Sequence, residues 1–314
     1  MGALSQLLEL YPVRTALDVR CHFGAPWVLD HKGAGRGIAP YHLIVSGECT
    51  LEVGTRKEIA LGPGDIILFP QGTPHRLHTG GAEGIHHAPR ESRGSGPLPF
   101  LYNDSPGPET GILCGQFEFG ADTANVLLSS LPELVHVRTA GGEGLAVLQQ
   151  LIAMLRVETE TVRPGGRAVI SQLASALFVL LMRAWIEQGS ALGGLFALLA
   201  DARLRGALQA MLETPAHPWK VAELAAACNM SRAAFARLFQ KVANTTPAQL
   251  LTETRMAKAA ALLQSGRLPA GEVAEQVGYQ SEAAFSRVFK RHFGIGPGAY
   301  RRTKPFANAG PGAG

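Results

Sequence analysis

Two stretches, VAELAAACNMSRAAFARLFQKVANTTPAQLL (221–251) and GEVAEQVGYQSEAAFSRVFKRHFGIGPGAY (271–300), decide how the C-terminal part of the chain is read. They are degenerate copies of one another. Ala233, Ala234, Phe235, Arg237, Phe239 and Pro247 match Ala283, Ala284, Phe285, Arg287, Phe289 and Pro297. Upstream, Glu223 and Ala225 match Glu272 and Ala274 at an offset one residue shorter, so the second copy gains a residue at its turn. Each copy predicts a short helix, a tight turn and a second helix opened by a serine N-cap, Ser231 or Ser281. The paired phenylalanines are four apart and share one inward face. The outward face carries Arg232, Arg237 and Lys241 in the first copy, and Ser286, Arg287, Lys290 and Arg291 in the second. A helix-turn-helix uses such a pattern to set its second helix in the major groove while basic side chains meet phosphates. A helical bundle with solvated arginines is the bland alternative. A helix from Pro247 to about Ser265 is expected to join the copies rigidly.

Charge favours the nucleic-acid reading. The chain of 314 residues has a net charge of +4, unevenly spread. Residues 1–200 hold 14 basic and 18 acidic side chains, a net of −4, whereas residues 201–314 hold 15 basic and 7 acidic, a net of +8. That asymmetry predicts a polyanion-binding C-terminal domain beside an acidic partner domain.

The N-terminal half has a different texture. Short β-type runs (TALDVR, YHLIVSG, TLEVG, EIALGPGDIILFPQG and ILCGQFEF) are separated by Gly and Pro, which predicts a sandwich or barrel over residues 15–120. Within it, residues 79–109 show little periodicity and read as a loop, His86 and His87 included. From Gly144 the spacing turns helical: Leu145, Leu148, Leu151, Ile152 and Leu155 make one face, and a second helix follows from Ala168 to about Gln188. This helical hairpin either packs on the barrel or dimerises the protein, and Gly189 to Gly194 is a candidate hinge. The expected organisation is a multidomain α+β chain: a β-barrel domain over 1–141, a helical connector over 142–194, an all-α double helix-turn-helix domain over 195–305 and a tail over 306–314.

Composition narrows the function classes. With 46% hydrophobic residues the chain can build sizeable cores, and 4 Cys without a CxxC spacing exclude a disulfide scaffold and a zinc finger. The N-terminus has no basic segment followed by an apolar one, and the apolar stretch 168–182 is short for a bilayer, so the expectation is a cytoplasmic protein with no membrane partner.

The repeat region resembles the AraC/XylS family of transcription regulators over residues 201–302. The strongest signature is GYQSEAAFSRVFKRHFGIGPGAYR, with Gly294, Pro297, Tyr300 and Arg301 in its closing pattern. The resemblance implies base contacts early in both recognition helices, at Arg232, Ala233, Ala236 and Arg237 and at Glu282, Ala283, Ser286 and Arg287, flanked by Lys241 and Lys290. Three of those eight are alanine, which offers only a methyl group, so Arg237 and Arg287 carry most of the readout capacity, Arg to guanine being the commonest specific contact. Double-stranded promoter DNA, RNA polymerase and a second copy of the chain are the implied partners. Catalysis is not implied.

Two N-terminal segments resemble cupin motifs, GIAPYHLIVSGECTLEVG (37–54) and GDIILFPQGTPH (64–75). Metal-binding cupins use His-x-His, a later Glu and a histidine in the second motif. Here Ile44 replaces the second His, leaving His42 and His75, with Glu48 and His78 as weaker candidates, for zinc or another divalent ion. The alternative is that these histidines are ordinary barrel residues. Within the AraC family the chain resembles activators that respond to reactive chlorine species, and this implies sensor cysteines at Cys21 and Cys114. Arg20 and His22 flank Cys21 and are positioned in sequence to favour its thiolate. Cys49 and Cys228 read as buried and inert. The rival readings are a regulator that senses a small molecule or metal in the barrel, and a cupin metalloenzyme with a DNA-binding appendage.

Overall fold

The computed structural model describes residues 2–80, 90–92, 96–120, 124–139, 145–189 and 193–303. In chain order the strands are β1 (Val13–Gly24), β2 (Trp27–His31), β3 (Ile38–Ser46), β4 (Cys49–Val53), β5 (Arg56–Leu61), β6 (Ile66–Leu68), β7 (His75–Thr79), β8 (Arg90–Ser92), β9 (Phe100–Tyr102), β10 (Glu109–Phe119) and β11 (Val135–Val137). The helices are α1 (Ala3–Leu10), α2 (Ala124–Ser129), α3 (Ala146–Glu160), α4 (Gly166–Gln188), α5 (Gly194–Ala200), α6 (Arg205–Glu213), α7 (Val221–Ala227), α8 (Arg232–Ala243), α9 (Pro247–Gln264), α10 (Ala270–Gln276), α11 (Glu282–Phe293) and α12 (Pro297–Tyr300).

The chain divides into two compact units, each assembled from separate pieces. One comprises residues 14–118 and 132–190; the other comprises 1–13, 119–131 and 191–314. The contiguous division expected from the sequence, 1–141, 142–194 and 195–305, therefore differs from the observed one at the N-terminus and around residue 119. The reason is packing. Ala3 and Leu7 of α1 and the adjoining Tyr11 are buried, and α1 lies against α6 and α9 rather than on the barrel. Residues 141–144, 190–192 and 306–314, where two expected boundaries, the centre of the hinge and the tail fall, lie outside the described residues.

The first unit is a two-sheet barrel. Seven strands run in the order β11-β6-β3-β10-β1-β9-β8, and four in the order β2-β7-β4-β5. Alternation sets the inward faces: Cys49, Leu51 and Val53 of β4 are buried while Thr50 and Glu52 are less so. Phe23, Trp27, Ile44, Leu61, Ile67, Phe69, Leu77 and Ile112 fill the space between the sheets. Gly64 and Asp65 make the turn between β5 and β6, where Asp65 N bonds the Gly62 carbonyl. Gly64 adopts φ +88°, and a Cβ there would lie 2.3 Å from Thr139 Oγ1, so only glycine fits. The stretch expected to be a loop is partly strand: β9 pairs in parallel with β1, Arg20 opposite Phe100 and Cys21 opposite Leu101, and β8 adds to it. Three-residue strands are too short for periodicity to reveal. Residues 81–89 and 93–95, with His86 and His87, lie outside the described residues.

The hairpin α3–α4 belongs to the same unit. Leu148, Leu151, Ile152 and Leu155 are buried as expected, Phe178 packs 4.8 Å from Phe117, and Thr15 Oγ1 bonds Ser175 Oγ at 2.8 Å. At 23 residues α4 is longer than its apolar stretch 168–182, and by length and composition alone it could cross a membrane. It buries Ile170, Ala174, Leu177, Phe178, Leu181, Met182 and Trp185, which is the pattern of a core helix.

The second unit carries the repeat. In the first copy α7 and α8 are joined through Asn229 at φ +52°; in the second, α10 and α11 are joined through Gly278 at φ +84°. The extra residue of the second copy is accommodated between Tyr279 and Ser281, because Met230 N and Tyr279 N both bond the carbonyl five residues back, of Ala225 and Ala274. Ser231 Oγ accepts from Ala234 N at 3.3 Å and Ser281 Oγ from Ala284 N at 3.2 Å, capping both second helices. Phe235 and Phe239 lie 5.5 Å apart, Phe285 and Phe289 5.4 Å, all fully buried. Arg255 of α9 donates to the carbonyls of Pro215, Ala216 and His217 and stacks 5.8 Å over Tyr279, tying the connecting helix to both copies.

Candidate functional site

On α8, Arg232, Ala233, Ala236, Arg237 and Lys241 are exposed; on α11, Glu282, Ala283, Arg287 and Lys290 are exposed and Ser286 is half-buried. Each set shares the face opposite the phenylalanine core of its copy. That is the arrangement a recognition helix needs: apolar side inward, one short and one cationic row outward. The serine caps fix where each helix begins, and hence which side chains sit in its first two turns.

The barrel holds a second, chemically distinct cluster. Cys114 and His42 are register partners on β10 and β3 of one sheet, and His31 and His75 are register partners on β2 and β7 of the other. Their side chains meet between the sheets. His42 Nδ1 lies 3.0 Å from Cys114 Sγ, His42 Nε2 lies 2.7 Å from His75 Nε2, and His75 Nδ1 lies 2.8 Å from the Thr73 carbonyl. The His31 ring stacks 4.8 Å from His75 and sits 4.3 Å from His42. Cys21 Sγ lies 4.0 Å from Cys114 Sγ, from the neighbouring strand β1.

The surroundings favour the neutral forms of the three imidazoles and of the Cys114 thiol. Burial, reinforced by His31 and His75, holds His42 well below the usual imidazole range; burial takes His31 down to about 4 and His75 to about 3. The hydrogen bond with Cys21 and then burial raise the Cys114 thiol well above its ordinary value. Cys49 is pushed up to about 12 by burial and Asp65, and Cys228, half-buried rather than buried, is raised by burial, so acidity does not set these two thiols apart from Cys114.

Several expectations need correction. His42 and His75 do come together, but Glu48 is exposed on a turn, away from them. His78 alternates to the other face of β7, where it bonds the Gly80 carbonyl and approaches Glu52 at 3.7 Å. Arg20 and His22 also point away from Cys21, as residues next to an inward one on a strand must. Arg20 lies over the Phe100 ring and near Glu160, and His22 pairs with Glu109 at 3.0 Å. His31 was missed. No motif marks it, and only the β2–β7 register brings it inside.

Comparison with known proteins accounts for both halves. A cupin family model matches residues 2–187 and a helix-turn-helix domain model matches residues 224–303. An AraC-like transcription regulator of Streptomyces antibioticus is 30% identical over 310 residues, 96% of this chain and 99% of that one. The chain belongs to the AraC family of transcription regulators. Other family members are similar over the same span. The RCS-specific HTH-type transcriptional activator RclR of Escherichia coli (strain K12) is 34% identical over 302 residues, 96% of this chain and 97% of that one. The HTH-type transcriptional regulator MtrA of Neisseria gonorrhoeae is 31% identical over 306 residues, 96% and 98%. The chain is thus a DNA-binding regulator rather than an enzyme, and the metalloenzyme alternative is set aside.

The buried imidazoles make stability depend on pH in a known direction. His31 and His75 stay neutral in the fold to about 4 and 3, but protonate near 6.5 once unfolded. Their contribution is therefore complete above about 6.5 and is lost as pH falls below it. Asp18 opposes this. Burial and Glu118 raise it to about 6, so its contribution is present at low pH and lost as pH rises through 6. Two histidines outweigh one aspartate, so with chelator present unfolding stability should drop by on the order of 1–2 kcal/mol between about pH 7 and about pH 5. Urea titrations at the two pH values check this, and an unchanged or higher midpoint at the lower pH contradicts it.

Proposed function

We propose that the chain is a cytoplasmic transcriptional activator switched by oxidation of Cys21 and Cys114 to a disulfide, with hypochlorous acid or a related reactive chlorine species as oxidant. The observation that carries this reading is the 4.0 Å approach of two reduced sulfurs, both buried, from strands adjacent in the sheet. The chemistry balances in two steps. One thiol and HOCl give a sulfenyl chloride and water; the second thiol displaces chloride, releasing HCl and forming the S–S bond. The likeness to a relative named as an RCS-specific activator supports the same oxidant class.

A route from this pair to the DNA-binding unit exists along the chain itself. Cys21 is on β1, whose N-terminal end continues into α1, and Cys114 is on β10, which runs into residues 119–131. Both of those flanking segments pack in the unit that holds the repeats. Drawing the two sulfurs from 4.0 Å into a bond pulls β1 and β10 toward each other, and an effector acts by favouring one arrangement over another.

In this reading Arg232, Ala233, Ala236, Arg237, Glu282, Ala283, Ser286 and Arg287 face base edges, Lys241 and Lys290 meet phosphates, and the bound activator engages RNA polymerase. A homodimer is supported by the outer face of α3, where Val147, Met154 and Val157 are 59%, 55% and 42% exposed at spacings of seven and three residues, a stripe no described residue covers.

Three outcomes test the proposal. Cys21→Ser or Cys114→Ser removes oxidant-induced transcription from the target promoter while leaving DNA binding intact; a preserved response sinks the switch. Arg287→Ala relaxes base preference at one operator position by roughly 1–3 kcal/mol in a binding selection, and an unchanged selected site rules out that role. Met154→Glu gives a monomer by light scattering where the parent chain is dimeric; a dimer that survives it places the interface elsewhere.

A further inference from the structure

We infer that His31, His42 and Cys114 form a binding site inside the barrel for a thiophilic d10 cation, Zn2+ or Cu+. One ligand atom from each lies within 4.8 Å of the others, all inside the sheet sandwich.

The hydrogen bonds select the donor atoms. The Thr73 carbonyl can only accept, so His75 carries its proton on Nδ1 and presents a bare Nε2. That lone pair accepts the Nε2–H of His42. The remaining nitrogen of His42, Nδ1, therefore presents its lone pair to Cys114 Sγ, 3.0 Å away, where it accepts the thiol proton until a cation displaces that proton. A ring held by its second nitrogen in this way is the usual support for a metal-ligating histidine. His31 supplies the independent sign of a ligand: its Nε2 is buried and has no hydrogen-bond partner. A buried nitrogen left unpaired is unfavourable, because it has lost its hydration with nothing in return, and a cation between the three groups removes that deficit.

The donor chemistry narrows the ion. Two imidazoles and a thiolate, with no carboxylate in the set, suit soft or borderline d10 ions and disfavour Mg2+, Ca2+ or Mn2+. The set also departs from the His/Glu pattern of the cupin motif, since Ile44 and the exposed Glu48 stand at two of its positions and Cys114 and His31 take the place of those ligands. Binding displaces the Cys114 proton to solvent.

Cys114 is shared with the oxidation pair, and this adds a step that rests on the proposed switch. A bound Cys114 thiolate, the Cys21 thiol and HOCl give the disulfide, chloride, water and the freed cation. Two electrons pass from the sulfurs to chlorine. Oxidation thereby removes a ligand and expels the ion.

The test uses the full chain, reduced, stripped with chelator and titrated without oxygen, once with Co2+ as a spectroscopic stand-in followed by Zn2+ to displace it, and once with Cu+ against a chromophoric chelator. The expected result is one ion per chain, with tetrahedral Co2+ bands and a thiolate-to-metal charge-transfer band in the unaltered protein. Cys114→Ser abolishes that band, Cys21→Ser keeps it, and His31→Gln weakens binding by roughly tenfold or more. No stoichiometric uptake of either ion, or a Co2+ spectrum without thiolate charge transfer, overturns the site whether or not any variant folds. If the ion binds but stays bound after the disulfide has formed, the release step fails while the site stands.

Discussion

His42 is fully buried, and among the described residues its hydrogen-bond partners are Cys114 and His75. A polar ring in that position persists only when both nitrogens are bonded, because an unmet one forfeits its hydration with nothing in return. Its two partners come from different places: Cys114 from the adjacent strand of the same sheet, His75 from the facing sheet. The 2.7 Å contact between His42 and His75 is thus a polar clasp through the middle of an apolar sandwich, anchored at its far end by the Thr73 carbonyl. It fixes how β3 and β7 face each other. It also fixes where the Cys114 sulfur sits, and so the distance from that sulfur to Cys21.

Much of the fold could be read from residues alone, for reasons that are local. The helix-turn-helix repeat survives in sequence because each copy needs the same capping serine, the same pair of phenylalanines four apart and a residue tolerant of positive φ at the turn, Asn229 or Gly278. Even the one-residue gain of the second copy was visible as an offset. The barrel was visible through short β-type runs punctuated by Gly and Pro. What could not be read depends on pairing between distant strands. His31 has no motif around it, and its inward position follows only from lying opposite His75. His78 and Glu48 were drawn in by proximity in sequence to a motif histidine, and strand alternation and a surface turn take them away. The packing of α1 beside α6 and α9 was equally hidden, since an eight-residue helix gives no sign of which core it will join.

The proposed DNA-facing surface and the thiol cluster make opposite physical demands. Arg232, Arg237, Arg287 and Lys290 are exposed and, in the proposed role, act through long-range charge in water. The cysteine and histidine groups are buried or half-buried between the sheets, where burial disfavours charge on the imidazoles and on Cys114 and reactivity is governed by contact. Two strands, β1 and β10, bridge these regimes: each carries one of the paired cysteines and each runs into a segment that packs with the helical unit. A chemical event between two side chains in the barrel therefore acts on backbone that is continuous with the DNA-binding unit.

The central claim is that Cys21 and Cys114 are partners. Peptide mapping of the full chain by mass spectrometry under non-reducing conditions, after sub-stoichiometric hypochlorous acid, tests it most directly. The account predicts a cross-linked pair of peptides containing Cys21 and Cys114, with Cys49 and Cys228 still reduced. A dominant bond through Cys49 or Cys228, or oxidation of Cys21 and Cys114 with no bond between them, would contradict it.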